Sequence, residues 1–153
     1  MIALIQRVSR AQVRVGNDTV SRIGPGILLL VGIGREDGPG DVEYIARKTV
    51  NLRIFGDARG HLNRSLLEID GEVLIVSQFT LLADTKKGRR PSFSGAAPPE
   101  IAQTLYRQTI EAFSGAGARV REGSFGAMMQ VSLTNDGPVT IIIDSKMRNP
   151  VRG

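Results

Sequence analysis

A chain of 153 residues that is 41% apolar and 23% charged has the size and composition of one globular domain, and neither disorder nor a membrane class fits it. Its 20 basic residues against 15 acidic ones leave a formal charge of +5, a balance that tolerates a polyanionic partner without requiring one. With no cysteine and one histidine, the chain excludes disulfides, thiolate nucleophiles, zinc–thiolate and iron–sulfur centres, and multi-histidine metal sites.

Met1 to Ile5 is apolar but turns polar at once, too short for a signal core or a membrane span, so the expected location is the cytoplasm. Residues Ile2 to Val15 are rich in valine and isoleucine, and Ala11 to Val15 alternates as a half-buried strand does. Gly16-Asn17-Asp18 reads as a hairpin turn. After Gly24-Pro25-Gly26, the continuous run Ile27 to Val31 predicts a central strand buried on both faces. Asp41 is the expected N-cap of a helix ending near Leu52, with Val42, Ile45, Ala46, Thr49 and Val50 at helical spacing.

Strand character returns from Glu72 to Leu82, so that Val73 to Val76 runs directly into the polar motif Ser77-Gln78-Phe79-Thr80. Pro98-Pro99-Glu100 opens a second helix with Ile101, Leu105, Ile110 and Phe113 on its apolar side, and Gly115-Ala116-Gly117 closes it. Two further strands are expected on either side of Asn135-Asp136-Gly137-Pro138. The elements predict an α+β fold over 1–153: a single domain with a curled, mostly antiparallel β-sheet or partial barrel covered by two helices.

The inventory narrows the chemistry. His61 sits in a turn-rich stretch where an exposed role is commoner than a catalytic one, which disfavours a Ser-His-Asp triad. Neither a dinucleotide-binding glycine pattern nor a P-loop occurs, and no spacing singles out a carboxylate pair. No cofactor and no metal is expected. What remains is a site of hydroxyls, amides and backbone placed where strands end, which can polarise a carbonyl through preorganised N–H groups if the leaving group is good. Lys86, Lys87, Arg89 and Arg90 form the densest cationic run, and a phosphate-contacting loop and a solvated charge run are equally open readings of it.

Ser77-Gln78-Phe79-Thr80-Leu81 and Asn135-Asp136-Gly137-Pro138-Val139-Thr140 together resemble the two signature motifs of D-aminoacyl-tRNA deacylases. The likeness runs along nearly the whole chain, through Gln6-Arg7-Val8, Lys87 to Phe93 and Gly123 to Met129. One departure is Arg89, where the family often has asparagine, and it bears on loop contacts rather than on reaction type.

The resemblance implies an enzyme that hydrolyses the ester of D-aminoacyl-tRNA at its 3′ acceptor end and rejects L-aminoacyl groups. It implies a homodimer in which a cis Gly137-Pro138 of one subunit enters the active site of the other and grips the amino group. By the same resemblance, amides around Phe79 and Thr80 receive the ester carbonyl, Ser77 and Gln78 shape the pocket, Phe125 holds the terminal adenine and Arg7 orients the Gly-Pro segment. Activation of water by the terminal 2′-hydroxyl is implied rather than attack by Thr80, and achiral glycyl esters should pass the filter. Two rivals stand beside this reading: a tRNA- or ribosome-associated binding protein without catalysis, and a hydrolase of small D-amino acid esters.

Overall fold

The computed structural model describes residues 1–148, in which two helices cover part of one strongly curled sheet. Strand β1 (Ile2–Val15) turns at Gly16-Asn17 into β2 (Asp18–Ile23), and after Gly24-Pro25 the chain continues as β3 (Gly26–Gly32). Helix α1 (Pro39–Asn51) follows, then a small hairpin of β4 (Phe55–Gly56) and β5 (Leu62–Arg64). Strand β6 (Glu72–Ser77), α2 (Pro99–Gly115), β7 (Arg119–Glu122) and the long β8 (Gln130–Asp144) complete the order.

Register explains the curl. Strand β8 pairs antiparallel with β1 from Ile2 to Arg14, so β3 and β2, which pair with Ile2–Val8 and Ala11–Val15, lie end to end on the opposite edge. Parallel β6 and β7 extend the sheet beyond β3. The rim draws together where the Ser21 hydroxyl donates to the Glu122 carbonyl at 2.8 Å.

Both faces of this sheet are apolar, as the uninterrupted run in β3 predicts. Ile27, Leu29, Val31, Val73 and Ile75 face the helices, while Leu28, Leu74 and Val76 join Val8, Ala11 and Val13 in a second cluster on the concave side. Strand β1 serves both clusters through one bulge. Ala3 and Ile5 pack toward the helices, but the register shift between Val8 and Arg10 inserts Ser9, after which Ala11 and Val13 join Val8 on the other side.

Helix α1 buries Val42, Ile45, Ala46, Thr49 and Val50, the positions expected from spacing. Its start differs: Gly38 is the N-cap and Asp41 occupies the third helical position, where its carboxylate accepts from the Gly38 N–H at 2.9 Å. Proline in the first turn allows that earlier start. Helix α2 buries Ala102, Leu105, Tyr106, Thr109 and Phe113, leaving Ile101 48% exposed rather than in the core. Strand β6 ends at Ser77 instead of running to Leu82, and the two strands expected around Asn135-Pro138 are one strand with an internal bulge.

Candidate active site

Ser77 is the last ladder residue of β6, opposite Val31, and the Gln78 N–H still donates to the Val31 carbonyl at 2.8 Å. The chain then closes a single 3-10 turn over Phe79–Leu82, tied by Leu81 N–H to Gln78 O at 3.2 Å and Ala83 N–H to Thr80 O at 3.1 Å. The first N–H groups of such a turn have no acceptor within it. Those of Phe79 and Thr80 find no other among the described residues. The Gln78 side-chain amide donates to Thr80 Oγ1, so this hydroxyl is held by an amide rather than by a base.

Beside this turn is a cavity of about 780 Å³, a size ordinary for small-ligand sites. Ser77, Gln78, Phe79 and Phe125 all line it, together with Phe93 and Met129. Phe79 meets Phe93 edge-on, with centroids 5.1 Å apart and planes at 77°. Phe125 leans on Tyr106 at 5.7 Å. The Tyr106 hydroxyl donates at 2.7 Å to the Ile75 carbonyl, which also accepts the Gly123 N–H at 3.0 Å. Burial, reinforced by the nearby Glu122 carboxylate, pushes the Tyr106 phenol up to about 12, so it remains a donor at neutral pH. Thr80 lies outside the lining, and so does His61, which sits exposed in the turn between β4 and β5.

The second motif forms a projection on β8. Gln6 pairs with Thr140 and Val8 with Asn135, so β8 spends five residue steps where β1 spends two, and the three surplus residues leave the ladder. The Gly137–Pro138 peptide bond within this projection is cis. Asn135 clamps its base: its Oδ1 accepts the Val139 N–H at 2.8 Å, and its Nδ2 donates to the Val139 carbonyl at 3.2 Å and to Thr140 Oγ1 at 2.9 Å. Arg7 braces its flank, donating through Nε to the Asp136 carbonyl and through a terminal nitrogen to the Ile54 carbonyl, both at 2.7 Å. Gly137 has φ +151°, and a Cβ there would lie 2.8 Å from the Val139 nitrogen and 3.1 Å from the Arg7 guanidinium. Only glycine fits.

Lys86, Lys87, Arg89 and Arg90 are all exposed on a loop pinched at its base by two backbone bonds between Asp84 and Ser92, at 2.8 and 2.9 Å. This loop leads into Phe93 and so adjoins the cavity. A larger groove of about 1000 Å³ runs along α1 and α2. It contains none of the sequence-derived site residues, and its cations Lys146 and Arg148 are paired with Asp41.

One chain does not bring the two motifs together. None of Asn135, Asp136, Gly137 and Pro138 lines the cavity beside Ser77.

A family model described as D-Tyr-tRNA(Tyr) deacylase matches residues 4–144. The chain belongs to that family. It is 54% identical over 146 residues to a D-aminoacyl-tRNA deacylase of Thermosipho africanus, covering 95% of this chain and 98% of the relative. A Dehalococcoides mccartyi protein of the same name is 55% identical over 151 residues, covering 98% of this chain and 99% of the relative. Among solved structures, one described as c-Myc DNA Unwinding Element Binding Protein superimposes with a TM-score of 0.89 at 43% identity, over 94% of this chain and 98% of that one. A probable eukaryotic D-amino acid tRNA deacylase shares the fold, with a TM-score of 0.80 at 18% identity over 93% of this chain and 97% of that one.

Beyond the family motifs, the geometry adds residues that reading along the chain did not single out for the site. Arg35, Pro98 and Ala102 line the cavity, and Tyr106 supports it from beneath. The pairing of β3 with β6 brings Arg35 near Ser77. In sequence the only pointer was that both residues follow strongly apolar runs.

Proposed function

We propose that this protein hydrolyses the ester bond of D-aminoacyl-tRNA, releasing the D-amino acid and free tRNA, with a site built mainly from backbone. The observation that carries the proposal is the cavity end at Phe79. Uncommitted N–H groups begin a turn there, beside an apolar chamber lined by Ser77, Gln78 and Phe125. Such donors stabilise the oxyanion of acyl transfer without any titratable side chain. An aminoacyl ester has a leaving group good enough to need no more than that and an activated water.

In this reading the ester carbonyl rests on the Phe79 and Thr80 amides, and the terminal adenine stacks on the face of Phe125 turned from Tyr106. The adenosine 2′-hydroxyl orients and activates the water. Thr80 acts through position, which fits its bond from Gln78 and its place outside the cavity lining. The Gly137–Pro138 projection of a second subunit supplies carbonyls for the substrate amino group. Ile142, four residues beyond Pro138, is 67% exposed and would be covered in such a dimer. With the amino and ester groups both fixed, an L side chain would be driven into backbone, whereas a D side chain or glycine would not. Glycyl-tRNA is therefore a second substrate, and the cytoplasm is the place of action.

The test compares D-tyrosyl-tRNA, L-tyrosyl-tRNA, glycyl-tRNA and a free D-tyrosine ester as substrates of the purified protein. Rapid loss of the D-tyrosyl and glycyl esters of tRNA alone is expected. Binding without turnover would select a non-catalytic RNA-binding role, and equal turnover of the free ester a small-ester hydrolase. Replacing the terminal adenosine by its 2′-deoxy form should slow hydrolysis severely, and unchanged turnover would return Thr80 to the role of nucleophile.

A further inference from the structure

We propose that the outward face of the half-sheet formed by β1, β2 and β8 is a phosphate-binding surface for the backbone of the tRNA acceptor stem, distinct from the 86–90 loop. Strand β1 bulges at Ser9. Because Ala11 and Val13 turn inward after it, Arg10, Gln12 and Arg14 point outward, where the helices do not reach. Their ladder partners share that face. Arg10 lies opposite Thr134, Gln12 between Ser132 and Arg22, and Arg14 between Gln130 and Thr19.

This grid holds three arginines, neutral hydrogen-bonding side chains and no carboxylate. Four cationic side chains elsewhere are matched by acids, among them Arg119 with Asp70 at 3.6 Å, Arg121 with Glu72 at 3.7 Å, and Lys146 with Asp37 at 3.2 Å. Among the described residues no carboxylate lies within 4.0 Å of Arg10, Arg14 or Arg22, and the Nε of Arg10 reaches only the neutral Thr134 hydroxyl at 3.3 Å. Facing water without an acid beside them, these guanidiniums are free to pair with the oxygens of an anionic ligand, and each such pairing releases counterions.

Spacing favours a chain of phosphates over a single anion. Arg10 and Arg14 are four residues apart along one strand, about 13 Å, with Arg22 one strand over, about 5 Å to the side. Gln12, Gln130 and Ser132 fill the intervals with donors suited to phosphate and ribose oxygens. Location completes the case. Met129 and Val131 line the cavity while the alternating residues Gln130 and Ser132 belong to the arginine face, so the cavity lies between this face and the basic loop beyond Phe93. A 3′ end seated in the cavity would leave its stem over one or the other, and the rigid sheet presents the fixed array that a duplex backbone matches.

The identity of the polyanion rests on the tRNA reading above; the cationic face itself does not. The test uses the full-length protein carrying Arg10→Gln, Arg14→Gln and Arg22→Gln together, with the corresponding triple lysine variant as a control that keeps the charge. Binding of uncharged tRNA is followed across a salt series, and turnover is measured on D-tyrosyl-tRNA and on D-tyrosyl-adenosine. Expected for the glutamine variant is a loss of tRNA affinity of about tenfold or more at low salt, and a logarithmic salt slope smaller by about 2 to 3. Turnover of D-tyrosyl-adenosine should stay at the native level, and the lysine variant should keep most of the salt slope. Native affinity and slope in the glutamine variant would overturn the proposal, as would an equal loss on D-tyrosyl-adenosine. If the native protein binds tRNA through these arginines but hydrolyses neither ester, the surface stands and the deacylase reading falls.

Discussion

The carboxamide of Asn135 holds the backbone of Val139 from both sides, accepting its N–H at 2.8 Å and donating to its carbonyl at 3.2 Å. A side chain thus takes the place of a missing strand partner where β8 leaves the ladder. Asn135→Ala should cost about 1–2 kcal/mol of stability and lower D-aminoacyl-tRNA turnover by on the order of tenfold or more, because the projection loses its fixed base. Asn135→Asp keeps one bond but turns a carboxylate oxygen toward the Val139 carbonyl. It should be as impaired as alanine at neutral pH and recover in part as acid protonates it. A flat pH profile relative to the native enzyme would argue against the clamp.

At Gly137 the predicted outcome is loss of function without loss of fold. The residue is exposed, so Gly137→Ala removes no core contact, but its Cβ would press on the Val139 nitrogen and Arg7 at a φ that alanine rarely adopts. Hydrolysis of D-tyrosyl-tRNA should fall by about 100-fold or more while circular dichroism and melting temperature change little. Full activity would show that the projection tolerates a shift.

Arg7→Lys tests whether a fork is needed. The guanidinium spans the Asp136 and Ile54 carbonyls at 2.7 Å each, and a single ammonium presents no planar pair of donors to do so. A fall in kcat/KM of roughly tenfold is expected, with tRNA affinity kept, since the lost function is orientation. Should the lysine variant match the native enzyme, charge rather than geometry would be what Arg7 contributes.

Tyr106 predicts the alkaline behaviour of the fold. Its phenol titrates at about 12 when folded against 10.0 for an ordinary tyrosine, so its stabilising effect is fully present below pH 10 and is lost as pH rises through 12. That displacement corresponds to on the order of 2–3 kcal/mol. Tyr106→Phe should be less stable than the native protein at pH 8 and should lose less stability between pH 10 and 12, as read from urea unfolding. Parallel curves for the two proteins would assign the alkaline limb elsewhere.

Much of this was visible along the chain where local pattern decides structure. The spacing of Val42, Ile45, Ala46, Thr49 and Val50 gave the buried side of α1, and the unbroken run in β3 announced a strand buried on both faces. The N-cap was misplaced because Pro39 starts the helix before Asp41. Ile101 was misassigned because the real apolar side of α2 is completed by Ala102, Tyr106 and Thr109, residues that hydropathy alone ranks lower. At the site, the two motifs stood out through resemblance, but their mutual placement is set by non-local register. No periodicity reveals that β8 carries three surplus residues, or that Arg35 and Phe93 close a cavity around Ser77.

The extra residue at Ser9 also determines how β1 can vary. Upstream of it odd-numbered positions pack against the helices and even-numbered ones look the other way, while downstream the odd-numbered positions fill the concave side. One strand therefore carries two alternating codes in opposite phase. A saturation scan should show odd-numbered positions intolerant on both sides of that serine, with Val8 the one even-numbered position that joins them. Unbroken alternation through Ser9, with the bulge ironed out, would put Arg10, Gln12 and Arg14 on the side of Val8 and strand Ala11 and Val13 in water, whereas deleting Ser9 would remove only the surplus residue and leave Ala11 and Val13 inside.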